Sequence, residues 1–235
     1  YRKLPQMTAR WVGNREWAGL TPIFLSQLSH FDSDIDRVTG QRLYNEFGLT
    51  KPMNWTSGFL RPTMKYRSIN YELDRPFTEI ENSLNAGSLM ASLDGGLIFE
   101  RQTSLFGQSM IQTLEPRAYY LYSQYRDQVF QPDFDTAELT FSYGQLFRDT
   151  RFSGNDRLDD ANQLSVGVTS RYFDNETGEE KLSVSLGQIY CFRDREVRLN
   201  AFDPELVENT SPLAGEFSWS PNPRWQLRAS ALYDT

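Results

Sequence analysis

The sequence predicts an all-β fold, a transmembrane antiparallel β-barrel of which this chain carries about ten strands. Three observations lead there. Apolar and polar residues alternate with period two, the connections alternate between short and long, and the strands outrun those of soluble sheets.

The alternation is clearest in the second half. Leu164, Val166 and Val168 share one face, while Gln163, Ser165, Thr169 and Arg171 share the other. From 180 to 192, Leu182, Val184 and Leu186 oppose Ser183, Ser185 and Gly187; near the end, Trp225, Leu227, Ala229, Ala231 and Tyr233 oppose Gln226, Arg228 and Ser230. Leu93, Gly95, Leu97 and Phe99 oppose Ser92, Asp94 and Glu100, and Leu114, Pro116, Ala118, Tyr120 and Tyr122 oppose Thr113, Glu115, Arg117 and Tyr119. Read this way, the strands fall at 1–12, 20–31, 41–53, 58–73, 88–103, 109–126, 161–173, 180–192, 212–220 and 225–234. No segment sustains a helical period of 3.6 residues.

Two strands carry irregularities. Between Leu60 and Tyr71 the apolar residues move from even positions (Leu60, Pro62, Met64, Tyr66) to odd ones (Ile69, Tyr71), as a β-bulge would cause. Pro5, Pro22, Pro62 and Pro116 lie inside candidate strands, each removing one ladder hydrogen bond, which a large barrel tolerates.

Short turns join strands one to two, three to four, five to six, seven to eight and nine to ten. The connections between those pairs, 32–40, 74–87, 127–160 and 193–211, are longer and rich in acidic residues. Such segregation is the asymmetry of outer-membrane barrels, with short turns on one side of the membrane and long loops on the other. Tyr1, Trp11, Trp17, Trp55, Tyr120, Tyr122, Tyr190, Trp219, Trp225 and Tyr233 sit towards strand ends, where aromatic girdles belong.

Bulk properties agree. The mean hydropathy of −0.58 and the lack of any apolar run near 18 residues exclude a helical membrane protein but not a barrel, whose strands are polar at every second position. A net charge of −7 argues against a nucleic-acid partner. With one cysteine, Cys191, no internal disulfide can form. Neither end of the 235 residues reads as a natural terminus, so the chain is expected to be part of a longer protein.

Little points to catalysis. His30 is the only histidine, too few for multi-histidine zinc ligation, and no Gly-x-Ser-x-Gly elbow is present. Asp149, Asp156, Asp159 and Asp160 could hold calcium, but their spacing is not that of an EF-hand, and Arg148, Arg151 and Arg157 interleave with them. The favoured expectation is a self-paired, ordered loop, with Leu146, Phe147, Phe152 and Leu158 fixing it to the barrel wall. Glu115, Arg117, Arg171 and Arg228 are expected on the water-facing side of the strands, as lumen lining or as a path for a charged ligand. No cofactor and no metal are expected.

Several collinear motifs resemble the LptD family of lipopolysaccharide-assembly outer-membrane proteins. They are Thr113-Leu114-Glu115-Pro116-Arg117-Ala118-Tyr119-Tyr120-Leu121-Tyr122 with Tyr125-Arg126-Asp127-Gln128, then Gln145-Leu146-Phe147-Arg148-Asp149, Phe152-Ser153-Gly154-Asn155-Asp156-Arg157, Asp160-Ala161-Asn162-Gln163-Leu164, Gly167-Val168-Thr169-Ser170-Arg171 and Gly187-Gln188-Ile189-Tyr190. Weaker matches run from Tyr1-Arg2-Lys3-Leu4-Pro5-Gln6 to Arg61-Pro62-Thr63-Met64-Lys65-Tyr66. The resemblance implies a very large two-lobed barrel in the outer membrane of a Gram-negative bacterium. It implies a small LptE-like lipoprotein plugging the lumen, and lipopolysaccharide as the transported ligand. A periplasmic LptA-like bridge protein would deliver it through an N-terminal jelly-roll. That jelly-roll, the gate strands and the family's disulfide cysteines are expected outside this chain, and 127–160 is expected to be an extracellular loop folding towards the lumen. A passive porin or a barrel enzyme is the alternative.

Overall fold

The computed structural model describes residues 1–14, 18–35, 37–74, 81–105, 107–199 and 209–234. The strands, in chain order, are β1 (Arg2–Val12), β2 (Thr21–Asp32), β3 (Gly40–Thr50), β4 (Met53–Trp55), β5 (Gly58–Leu73), β6 (Ser83–Leu97), β7 (Phe99–Leu105) and β8 (Gln108–Ser123), followed by β9 (Ala137–Glu138), β10 (Phe152–Ser153), β11 (Ala161–Asp174), β12 (Glu180–Cys191), β13 (Leu213–Asn222) and β14 (Trp225–Tyr233). Ten of them make an antiparallel meander in the order β1-β2-β3-β5-β6-β8-β11-β12-β13-β14, with β4 beside β5 and β7 beside β8. The sheet is open, with β1 and β14 at its edges. β6 and β7 are one continuous line opposite β8, because Gly96 pairs with Arg117 and Phe99 with Leu114, three residues on in each strand. Expected and observed strands coincide to within a few residues, apart from the earlier start of the fifth at Ser83 and the break in the third at 51–52.

Each strand presents one row of side chains to each face of the sheet. One face is bare and apolar: Leu43, Phe47, Leu49, Met64, Leu89, Leu93, Leu97, Val166, Val168, Val184, Leu186 and Leu227 are all exposed on it. Eight of its aromatic residues fall into two belts. Tyr120, Tyr122, Tyr190 and Tyr233 lie near the long-loop ends, whereas Trp11, Trp55, Trp219 and Trp225 lie near the short-turn ends. Trp219 pairs with Leu182, eight residues along β12 from Tyr190. At about 3.3 Å per residue the belts stand roughly 26 Å apart along the strand, which a tilt of about 40° projects to roughly 20 Å along the membrane normal, near the ~25 Å apolar band of membrane barrels. Tyr1 departs from the expected girdle. Its ring sits edge-on to Phe134 at 5.0 Å, on the opposite face. Trp17 lies outside the described residues.

The opposite face carries Arg42, Arg67, Ser88, Asp94, Thr113, Ser123, Gln163, Ser165 and Thr169, and these polar residues are buried. Segment 124–160, which leaves β8, lies across this face and returns at β11, covers Arg42, Arg67, Ser88, Ser123 and Thr169 among them, while Arg195 also meets Gln163. Gln163 and Ser165, expected from alternation to face water, are under the loop instead.

The phase change in β5 is not a bulge. β5 keeps unbroken register with β3 from Thr63↔Thr50 to Leu73↔Gly40, and with β6 from Gly58↔Leu97 to Glu72↔Ser83. Ile69, Tyr71 and Leu73 are apolar on the loop-bearing face because the loop packs there. With Phe31, Val38, Tyr44, Phe134 and Leu158 they form the main hydrophobic cluster. The strand is regular, and its environment changes. Register shifts lie elsewhere: in β1 against β2 between Lys3 and Gln6, around Pro5, a residue with no N–H to donate, in β11 between Tyr172 and Phe173, and in β13 between Trp219 and Asn222.

Candidate functional site

The polar face with its loop is the feature on which the chemistry converges. The loop contains a two-stranded ribbon, β9 with β10, and a 3-10 turn over Tyr143–Phe147. Leu146, Phe152 and Leu158 are buried and Phe147 is half-buried, as the apolar composition of 145–160 foreshadows. Burying three such side chains contributes about 1.5–3 kcal/mol each.

Asp156 is the central fastening and is fully buried. Its Oδ1 accepts from Arg42 Nη1 at 2.5 Å and from Tyr71 Oη at 2.8 Å. Its Oδ2 accepts from the backbone N–H groups of Phe134 (2.9 Å) and Asp135 (2.8 Å) and from Thr136 Oγ1 (3.0 Å). Five donors to one carboxylate are what a buried charge requires to offset its desolvation. Arg42, on β3, reaches a second carboxylate, Asp135, at 2.6 Å, and Lys3 of β1 reaches the other oxygen of Asp135 at 2.8 Å. The Arg42 guanidinium lies 4.9 Å from the centre of the Phe31 ring, which itself stacks on Phe134 at 4.4 Å. One carboxylate thus ties the loop to β3 and β5 while shaping the loop's own backbone.

Further fastenings lie along the loop. Arg67 Nη2 donates to Ser123 Oγ at 2.8 Å, and Ser123 Oγ donates to the carbonyl of Asp159 at 2.5 Å. Gln128 and Leu158 exchange hydrogen bonds of 2.8 and 2.9 Å through the Gln128 side-chain amide. Lys65 of β5 bridges Asp149 at 2.8 Å and Glu46 at 3.0 Å. Burial alone would push the Asp149 carboxyl up, but the Lys65 ammonium beside it holds it below the usual carboxylate range. Asp160 accepts from the N–H groups of Glu196 (3.1 Å) and Val197 (3.0 Å) and meets Arg193 at 3.4 Å.

The expected self-pairing of 145–160 is therefore mostly wrong. Only Arg151 and Asp159 pair within the segment, at 3.1 Å; Asp149 and Asp156 pair with the sheet, Asp160 with the 193–197 segment, and Arg148 is exposed. Arg157 donates to the carbonyls of Pro132, Asp156, Arg198 and Leu199. Sequence spacing shows which charges are neighbours along the chain, but a loop lying on a sheet meets the sheet first. Among the described residues no group of three or more potential metal ligands is gathered.

Three of the four charged strand residues are on the loop-bearing face in pairs. Arg117 grips Asp94 through Nε and Nη2, both at 2.8 Å, and lies 4.1 Å over the Phe147 ring. Arg171 bridges Glu115 at 3.2 Å and Glu180 at 2.8 Å. Arg228 is on the same face of β14, beyond the cover of the loop, where it borders an open polar hollow with Arg171 and Glu216.

A glycine pair was the least legible element. Gly167 and Gly187 face each other across β11 and β12 under the 3-10 turn. A Cβ on Gly187 would stand 2.6 Å from Leu146 Cδ1 and 2.7 Å from the Val166 carbonyl oxygen, and one on Gly167 would stand 2.9 Å from Phe147 and Tyr143. Gly187→Val is expected to destabilise the docked loop by about 1–3 kcal/mol, as overpacking does. Hydrogen exchange of 143–147 in the full-length protein should speed up while β1 to β3 stay protected; unchanged exchange would show that the close approach is unimportant.

An antiparallel meander, apolar on the bare face and polar on the other, with its own loop closing over the polar side, defines the wall of a transmembrane β-barrel with a folded-in loop. Comparison with known proteins points to the same class. The family described as LptD, LPS transport system D, matches residues 1–235. The LPS-assembly protein LptD of Hahella chejuensis is 38% identical over 242 aligned positions, covering 100% of this chain and 30% of that protein. The protein of the same name from Pseudomonas fluorescens is 36% identical over 100% of this chain and 31% of its own length. That of Xanthomonas campestris pv. campestris (strain 8004) is 42% identical over 82% of this chain and 25% of its own. The chain belongs to the LptD family, and it spans about a third of the length of the curated relatives it matches.

Proposed function

We propose that this chain is a stretch of barrel wall, with an inward-folded loop, of an outer-membrane translocon that inserts lipopolysaccharide into the outer leaflet. The whole of 1–235 belongs to the barrel domain in this reading, and the jelly-roll and gate strands belong to other parts of the protein. The bare face contacts lipid. The loop-bearing face lines the lumen, so that Glu115, Arg117, Arg171 and Arg228, with the loop residues Arg148, Asp149, Arg151, Asp156, Arg157 and Asp160, border the glycan's path or hold the loop beside it. The long connections lie outside the cell. An LptE-like lipoprotein occupies the rest of the lumen, and an LptA-like bridge delivers lipopolysaccharide from the periplasm. Glycan would pass through the polar interior while acyl chains leave sideways, without any covalent step.

The observation that carries this reading is the polar face filled by the chain's own loop through a buried carboxylate. The match to the LptD family over residues 1–235 favours this reading over a passive pore. Depleting the full-length protein from cells is expected to stop newly made lipopolysaccharide from reaching the outer leaflet, read as loss of its modification by an outer-leaflet acyltransferase. Continued delivery after depletion overturns the proposal.

A further inference from the structure

At the long-loop end, segments 124–129 and 193–199 enclose a groove of about 530 Å³. Three of the guanidinium groups lining it spend their hydrogen bonds on neutral oxygens. Arg126 donates to the Gly87 carbonyl at 2.7 Å and to Gln124 Oε1 at 3.1 Å. Arg195 donates to Gln163 Oε1, and its Nε is buried with no partner. Arg157 is held by four backbone carbonyls. None of the three forms an ion pair among the described residues. Among the described residues Arg193, paired to Asp160 at 3.4 Å, and Arg198 also border the groove, and Asp127, Asp194 and Glu196 line it too. Asp127 is turned to its own backbone, accepting from the Val129 N–H at 3.0 Å.

This is an unusual arrangement for a chain of net charge −7. Fixing a guanidinium with carbonyls orients its fork and leaves its field intact, which suits a dianion bearing several oxygens better than a carboxylate or a neutral sugar. The groove walls also carry few apolar side chains, chiefly Val129, Val197 and Leu199, so an acyl chain has little to bury there.

We infer that this groove is a binding site for the phosphate groups of a phosphorylated saccharide, held by Arg126 and Arg195 with Arg157 as a fixed positive floor. Under the proposed function the ligand is the phosphorylated glycan of lipopolysaccharide as it reaches the outer end of the barrel, and the inference rests on that reading for the source of the ligand but not for its chemistry.

The test uses the full-length protein with its plug partner in detergent. Titration with deacylated, phosphate-bearing lipopolysaccharide glycan should show binding that weakens about tenfold or more when the same glycan is dephosphorylated, since removing one charge-assisted hydrogen bond weakens binding by about a factor of ten. Arg126→Gln combined with Arg195→Gln should reproduce that loss, with hydrogen exchange of 145–160 unchanged to show that the loop still docks. Arg126→Lys should recover part of the affinity, because it restores charge without the fork. Inorganic pyrophosphate serves as the free anion, and binding as tight as that of the phosphorylated glycan would overturn the saccharide assignment. Equal binding of the two glycans, or full affinity in the double variant, would overturn the site. Lipopolysaccharide delivery in cells is scored separately. Normal delivery by a double variant with unchanged glycan affinity removes the groove and leaves the proposed function standing. Failed delivery by a wild-type protein whose groove binds phosphoglycan does the reverse.

Discussion

Replacing Asp156 with alanine should free the loop from the sheet while the strands stay paired. The substitution leaves the Arg42 guanidinium buried beside a single remaining carboxylate, Asp135, and removes the acceptor of two backbone N–H groups and of the hydroxyls of Tyr71 and Thr136. Breaking a buried pair by deleting one partner costs about 3–5 kcal/mol. Deletion of a charge is more harmful than deletion of both, so Arg42→Met with Asp156→Leu should recover part of the loss. Limited proteolysis of the full-length protein in detergent reads the effect: cleavage within 124–160 should rise steeply in Asp156→Ala and less in the double variant. Equal resistance of wild type and Asp156→Ala would show that the apolar contacts alone hold the loop.

An arginine at Leu186 should be the most damaging change on the bare face. Leu186 lies between Val168 on β11 and Gly215 on β13, midway between the tyrosine and tryptophan belts. A charge at the bilayer midplane costs about 2–4 kcal/mol, falling towards zero near the interfaces. Arginine at Trp225, in the belt beside the last short turn, should therefore be borne well. Folding into lipid vesicles measured by the heat-dependent gel shift of the full-length barrel separates the two. Equal folding yields at both positions would mean that this face does not meet hydrocarbon.

The strands were legible because period-two alternation is a direct consequence of strand geometry, and a membrane on one side with a polar interior on the other imposes it over ten residues at a time. Val166 against Ser165, or Leu186 against Ser185, shows which side is which without any tertiary knowledge. Ser165 and Gln163 also show where that reading stops. Alternation separates the two faces but does not say whether the polar one meets water or another part of the chain. The clue was present in β5, where Ile69 and Tyr71 change the parity of the apolar row. A bulge explains a parity change locally, and a docked loop explains it by long-range packing; only the second agrees with the unbroken register. Among the candidate charges, the acidic cluster of the loop is legible in the sequence, while the sheet residues it meets, Arg42, Arg67 and Lys65, are not. Nothing in the order of residues links Arg42 to Asp156 across 114 positions. Gly167 and Gly187 gave a weak signal, since a glycine in a strand marks close approach but not of what.

The Arg42–Asp156 contact also has a bearing on how the barrel is assembled. Side chains alternate along β3, so a slip of one residue against its neighbours would turn Arg42 towards lipid and offer Leu43 to the buried carboxylate in its place. A chain mispaired in this way could not seat its loop. Because β3 and β5 precede the loop in the chain, their alignment is read by a segment made after them. Seating of the loop and register of the wall are thus coupled: the buried carboxylate finds its guanidinium only when β3 is aligned as it is here.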